Sequence, residues 1–196
     1  MNTKLITLKK ALFGAALLTV SAAASSAEYI IDNKGAHASI NLKVKHLGYS
    51  WLTGRFNEFE GKFSYDAKNV SASKIKVHVN TGSFDSNHAK RDKHIKSADF
   101  LEVSKFPEAS FVSTSVKDLG DGKLKVKGKI TIRKITKEIV INAEKIGEGP
   151  DPWNGYRAGF SGEAKITMAD FGVPMDLGPA SADVYLELHI EGIKKK

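Results

Sequence analysis

Apolar and polar residues alternate one for one along most of this chain. In GKLKVKGKITIR, Leu124, Val126, Gly128, Ile130 and Ile132 hold one parity, and Lys123, Lys125, Lys127, Lys129 and Arg133 hold the other. A period of two sends successive side chains to opposite faces, so such a run predicts a strand with one buried face. DVYLELHIEG repeats the pattern with Val184, Leu186, Leu188 and Ile190, ASINLKVKH with Ile40, Leu42, Val44 and His46, and SKIKVHVNT with Ile75, Val77 and Val79. Shorter runs lie at 59–65, 109–116, 137–143 and 157–168. LGDGK and GEGPDPWNG separate neighbouring runs with the residue types that tight turns need.

About eight or nine strands follow, with no helical run long enough for a crossover between parallel strands. Antiparallel strands on short connections make either a sandwich or a closed barrel. Glycines at interior parity (Gly61, Gly128, Gly162) suit a wall that must bend or leave room inside.

The N-terminus departs from the pattern. Lys4, Lys9 and Lys10 precede the apolar ALFGAALLTV, and SAAASSA ends in the small residues Ser25 and Ala27. This predicts a secretory signal peptide over residues 1–27, cleaved after Ala27, with an apolar run too short for a permanent membrane span. Residues 28–196 then form a single domain, and the periplasm is its expected compartment. Loss of the three signal lysines, with no acid, takes the formal charge from +8 to +5, and three of the remaining positives are Lys194, Lys195 and Lys196. A body so mildly basic argues against a nucleic-acid partner. With no cysteine, no disulfide holds the fold, and stability rests on buried apolar area.

Chemistry-bearing residues gather in one place, NHAKRDKHIKSADF at 87–100. Helix formers replace the alternation here, with Asn87 as the expected N-cap and Asp92 and Lys96 as an i, i+4 pair. The segment predicts a short helix across one mouth of a β-structure. An enzyme reading lacks a nucleophile, because no G-x-S-x-G elbow occurs in the chain. A metal reading fares no better: His88 and His94 fall on different faces of a helix, and His189 with Glu191 lacks the cysteine pair of a zinc deaminase. The simplest role for Arg91, Asp92 and Asp99 is to tie the helix down by ion pairs.

Four stretches together resemble the YceI-like family of exported bacterial proteins: RDKHIKSADFLEVSKFPEASF, HLGYSWLTGRFNEFEGKFSYD, KVKGKITIRKITKEIVINAE and RAGFSGEAKITMADFGV. The resemblance implies an all-β fold, an eight-stranded antiparallel lipocalin-like barrel with a short helix over one end. It implies an apolar tunnel for a polyisoprenoid chain, such as an isoprenoid quinone or its precursor, with no further cofactor and no metal. It also implies homodimers. Lys134 and Glu138 stand where relatives commonly carry the glycine and proline of a turn.

On this reading the protein binds, stores or carries a lipid, and the alternative is an enzyme using the His and Asp residues near the lid helix. The expected tunnel-facing residues are Leu42, Val44, Phe56, Phe59, Phe63, Ile75, Val77, Phe84, Phe100, Phe111, Ile130, Phe160, Ile166, Leu186 and Leu188. Arg91 is placed to meet a head-group oxygen, and His46 to sit near the mouth. Trp51 and Trp153 are assigned to loops, where a transient membrane contact is the partner expectation.

Overall fold

The computed structural model describes residues 26–196. The expected signal peptide lies outside them apart from its last two residues, and Ala27 already pairs with Tyr65 in the first strand. Among the described residues no helix is long and apolar enough to cross a membrane.

The strands are β1 (Ala27–Ile31), β2 (Ser39–His46), β3 (Ser50–Phe56), β4 (Phe59–Tyr65), β5 (Lys74–Asn80), β6 (Phe84–Asp85), β7 (Glu108–Gly120), β8 (Lys123–Ile132), β9 (Ile135–Pro150), β10 (Tyr156–Thr167) and β11 (Asp183–Lys194), with one helix, α1 (Ala89–Ile95). Eight of them close an antiparallel ring, β1–β4–β5–β7–β8–β9–β10–β11 and back to β1. The eight-stranded lipocalin-like barrel expected from the sequence is therefore present. Extra strands arise because three staves are each built in two pieces, β1 with β2, β3 with β4 and β5 with β6. β11 pairs with β1 at Ile31↔Gly192 and with β2 at Leu186↔Leu42, so β1 and β2 run along one flank of it. Likewise β3 leads through Asn57 and Glu58 into β4, and its far edge carries β6.

The break between β1 and β2 is held by charge. Asp32 accepts from the Gly35 amide at 2.9 Å and lets Ala36 take a left-handed φ of 56°. Arg157 reaches the same carboxylate at 2.7 Å, bonds Glu191 at 2.5 Å and bonds Asp151 at 2.9 Å. Arg157, then His37, hold the Asp32 carboxyl down to about 2, and the three carboxylates raise the Arg157 guanidinium above its ordinary value. Asp32, His37 and Glu191 are close enough together to ligate a cation, but Arg157 already supplies the positive charge there.

Turn chemistry matches at one hairpin and differs at two. Asp121 and Gly122 are both left-handed between β7 and β8, as a two-residue hairpin turn requires. Between β8 and β9 the same turn is made by Arg133 and Lys134, at φ 50° and 62°, with Ile132 facing Ile135. Glu138, expected in that turn, instead lies in β9 opposite Lys129. GEGPDPWNG is less of a turn than its composition predicts, since β9 runs on to Pro150 before the chain reverses over 151–155.

Inside the barrel, the end remote from α1 is floored by aromatic rings. Tyr29 stacks on Phe63 at 4.9 Å, and Phe160 meets both Phe63 and Tyr65 edge-on at 5.6 and 5.2 Å. Gly192 is needed beneath Phe63 because any Cβ would run into the ring, and Gly128 lies under Phe111 in the same way. The space expected at Gly128 is thus taken by an aromatic side chain.

Candidate functional site

Period-two alternation delivers hydrocarbon side chains to the inside of the ring, but they do not fill it. Two adjoining cavities remain, one of about 220 Å³ beneath α1 and one of about 180 Å³ nearer the aromatic floor. Ile40, Val79, Ala109, Ile130 and Leu186 border both, so they form one elongated hollow with a waist. Phe111, Ile130 and Leu188 point inward yet are only half-buried, because there is empty space in front of them.

The residues selected by parity fall largely on this hollow. Leu42, Val44, Phe56, Phe84, Arg91, Phe100 and Ile166 border the upper part, and Phe63, Ile75, Val77, Phe111, Phe160 and Leu188 the lower. Ile130 and Leu186 sit at the waist. Two expected residues border neither part. Phe59 faces inward but is buried in the packed cluster, and His46 is exposed at the end of β2. His46 has the right parity, but its strand has already passed the rim. Trp51 also differs from expectation: it is in β3, paired with Lys45, with Lys43 and Lys45 over its ring and Tyr185 against its edge.

Sequence parity missed two groups. Ile139, Ile141 and Ile190 line the lower part from strands whose pattern was recognised but whose depth in the barrel was not. Met168, Phe171, Val173 and Leu177 close the upper part from the segment after β10. The only signal for these four is the apolar content of MADFGVPMDL, which alternation does not explain.

Polar atoms on the hollow are few. Ser73 Oγ is buried at the lower part without a hydrogen-bond partner among the described residues. Arg91 borders the upper part, but its Nε and Nη2 donate to Ser86 Oγ and Ser86 O, each at 2.7 Å. Asp92 accepts from the Ser86 amide at 2.9 Å, and His94 Nε2 lies 2.9 Å from Asp99. The helix is therefore tied to the strand end at Ser86 by Arg91 and Asp92. No bond joins Asp92 to Lys96 through their side chains. His88 caps the helix, its Nδ1 accepting from Arg91 N at 3.2 Å, whereas the expected cap Asn87 is left-handed at φ 59°. His88, Asp92 and His94 each serve a separate local contact and do not converge on one point. The hollow suits hydrocarbon, since a polar group buried in it would find almost no partner.

Solved structures share the architecture. The Campylobacter jejuni YceI protein superposes with a TM-score of 0.69 at 28% identity, covering 79% of this chain and 91% of its own. BcnA of Burkholderia cenocepacia gives 0.73 at 19% identity, over 82% and 98%. A polyisoprenoid binding domain from Saccharophagus degradans gives 0.63 at 13% identity, over 87% and 99%. In sequence, a UPF0312 protein of Shewanella baltica is 58% identical over 188 residues, spanning 96% of this chain and 98% of the relative. One from Shewanella denitrificans is 58% identical over 184 residues, spanning 94% and 96%. The YceI-like domain profile matches residues 29–192, almost the whole ring from β1 to β11, and the chain belongs to that family.

Proposed function

We propose that the protein binds a long-chain isoprenoid lipid in the barrel hollow, as an exported carrier or store. The single observation that carries this reading is the elongated cavity, with hydrocarbon on nearly every side. An apolar void of this kind stays dry, so filling it with a chain displaces no bound water and removes the chain from water. At roughly 0.8 kcal/mol per CH₂, about ten buried carbons contribute on the order of 8 kcal/mol before immobilisation costs. The description of the Saccharophagus degradans neighbour as a polyisoprenoid binding domain supports the choice of chain. Polyprenyl quinones and their precursors are the favoured ligands. Work in the periplasm, homodimers and passing contact with a membrane belong to the same proposal.

The test is direct. Purified protein extracted with organic solvent is expected to release a stoichiometric long-chain apolar molecule by mass spectrometry, and stripped protein to take up prenyl quinones. Repeated preparations free of lipid, together with no uptake, refute the proposal. Val77→Asp and Phe111→Arg, if folded, are expected to abolish retention. Joint replacement of His88, Asp92 and His94 separates carrier from enzyme: the carrier keeps its lipid, whereas an enzyme acting on that lipid loses turnover.

A further inference from the structure

The barrel wall is not hydrogen-bonded all the way up. β9 and β10 pair from Pro150↔Tyr156 to Asn142↔Glu163, and there the ladder stops. Beyond that point Ile135–Ile141 of β9 is paired only to β8, and Ala164–Thr167 of β10 only to β11. The two strands separate over the half of the barrel nearer α1, leaving two facing edges of the kind that closure normally removes. A groove of about 580 Å³ follows the split, flanked by Ile139 and Val140 on one side and Ala164 and Lys165 on the other.

This groove lies one side chain away from the hollow. Ile139 borders both the groove and the lower cavity, while Ile166, Phe171 and Leu186 border both the groove and the upper cavity. Phe171, only 2% exposed, is the ring between outside and inside. It is carried by a single 3-10 turn, Met168–Phe171, that ends at the left-handed Gly172 and rests against Ile135 of β9. The other exits are better secured. One end is floored by the Tyr29, Phe63 and Phe160 rings, and the lid is tied by Arg91 and Asp92 to Ser86 and by Arg133 to the Phe100 carbonyl. Opening the split needs one short turn to swing and breaks no ladder bond. Opening the lid breaks several charge-assisted hydrogen bonds.

We propose that the split between β9 and β10 is a lateral portal through which a prenyl chain enters and leaves the barrel, with Phe171 as its gate. This rests on the lipid-binding reading above. A side entrance lets the tail pass inward while the head stays in water at the rim, where the Lys43–Glu187 and Lys165–Asp183 ion pairs stand. The head then escapes the desolvation that passage through an apolar tunnel imposes.

The chain has no cysteine of its own, so an engineered pair is unambiguous. Continuing the register from Asn142↔Glu163 sets Val140 opposite Lys165, and both are exposed. In the double variant V140C/K165C, joining the two thiols with a short bis-maleimide is expected to slow association and dissociation of a fluorescent geranylgeranyl probe by about tenfold or more relative to the same variant left unjoined, with the equilibrium constants of the joined and unjoined forms within about twofold of each other. Phe171→Ala is expected to speed both rates several-fold. Exchange at the uncross-linked rate in the joined protein overturns the portal, whatever the stability of the Phe171 variant. A wild-type protein that binds no prenyl probe at equilibrium overturns the carrier reading itself, and the portal with it.

Discussion

Replacing Ala109 by leucine tests whether the centre of the barrel is hollow. Ala109 lies at the waist and borders both cavities, so its Cβ points at empty space on either side. Leucine adds three carbons there. At about 0.8 kcal/mol per buried carbon the gross gain is about 2.4 kcal/mol. Loss of rotamer freedom removes about 0.5–1 kcal/mol, leaving the variant about 1.5 kcal/mol more stable than the parent. In a solid core the same change costs about 1–3 kcal/mol, because neighbours are forced off their rotamers. The sign therefore decides. Urea unfolding of lipid-stripped protein reads it, and a slope of about 1–3 kcal/mol per molar places the expected rise in midpoint at about 0.5–1.5 M. The same side chain blocks the waist, so a long prenyl quinone is expected to bind at least about tenfold more weakly while a two-isoprene quinone changes little. A lower midpoint with unchanged m would refute the argument, since it means that the leucine met atoms rather than a void.

Other perturbations bear on other parts of the structure. Gly128→Ala is expected to destabilise by about 1–3 kcal/mol, because its Cβ meets the Phe111 ring and lies 2.7 Å from the Val112 carbonyl oxygen; part of that cost should vanish in a Phe111→Ala background, and strict additivity in a double-mutant cycle argues against the ring contact. Lys134→Gly relieves a left-handed lysine in the β8–β9 turn and is expected to raise thermal stability by about 1 kcal/mol, read by calorimetry, whereas Asp121→Gly gains less because aspartate tolerates that conformation. Asp32 has its folded pKa lowered to about 2 from 3.8, so its contribution of about 2 kcal/mol is fully present above about pH 4 and is lost as pH falls through about 2. Asp32→Asn removes that slope, and parallel acid-unfolding curves for variant and parent contradict the assignment.

Which side chains face inward was legible because parity in a half-buried strand is a local property. β8 and β11 show it cleanly: Leu124, Val126, Leu186 and Leu188 were readable from eight or ten residues of text. Where along the barrel axis each one sits depends on pairing with distant strands, and this is why Phe59 and His46 carried the right parity but missed the hollow. The split between β9 and β10 was invisible for the same reason. Lys137, Ile139, Ile141 and Ala143 keep one parity across Asn142, where the ladder ends, so nothing local records the loss of a partner. The helix was readable from its composition, but its cap was not. An asparagine before a helix is ordinarily the cap, yet Asn87 is turned left-handed by its amide bond to Asp85, and His88 takes the role. The break at 32–38 needed Arg157, 125 residues away from Asp32, to be seen at all.

β11 carries a consequence for biogenesis. It follows every other described strand, and it alone pairs with three neighbours, β10, β1 and β2. Until it emerges from the ribosome, the nascent sheet has two raw margins and no ring. Closure joins β1, the first described strand, to β11, the last, so it must await synthesis through Lys194. A premature stop before Asp183 would therefore leave an adhesive open sheet exposed to self-association, rather than a slightly weakened container.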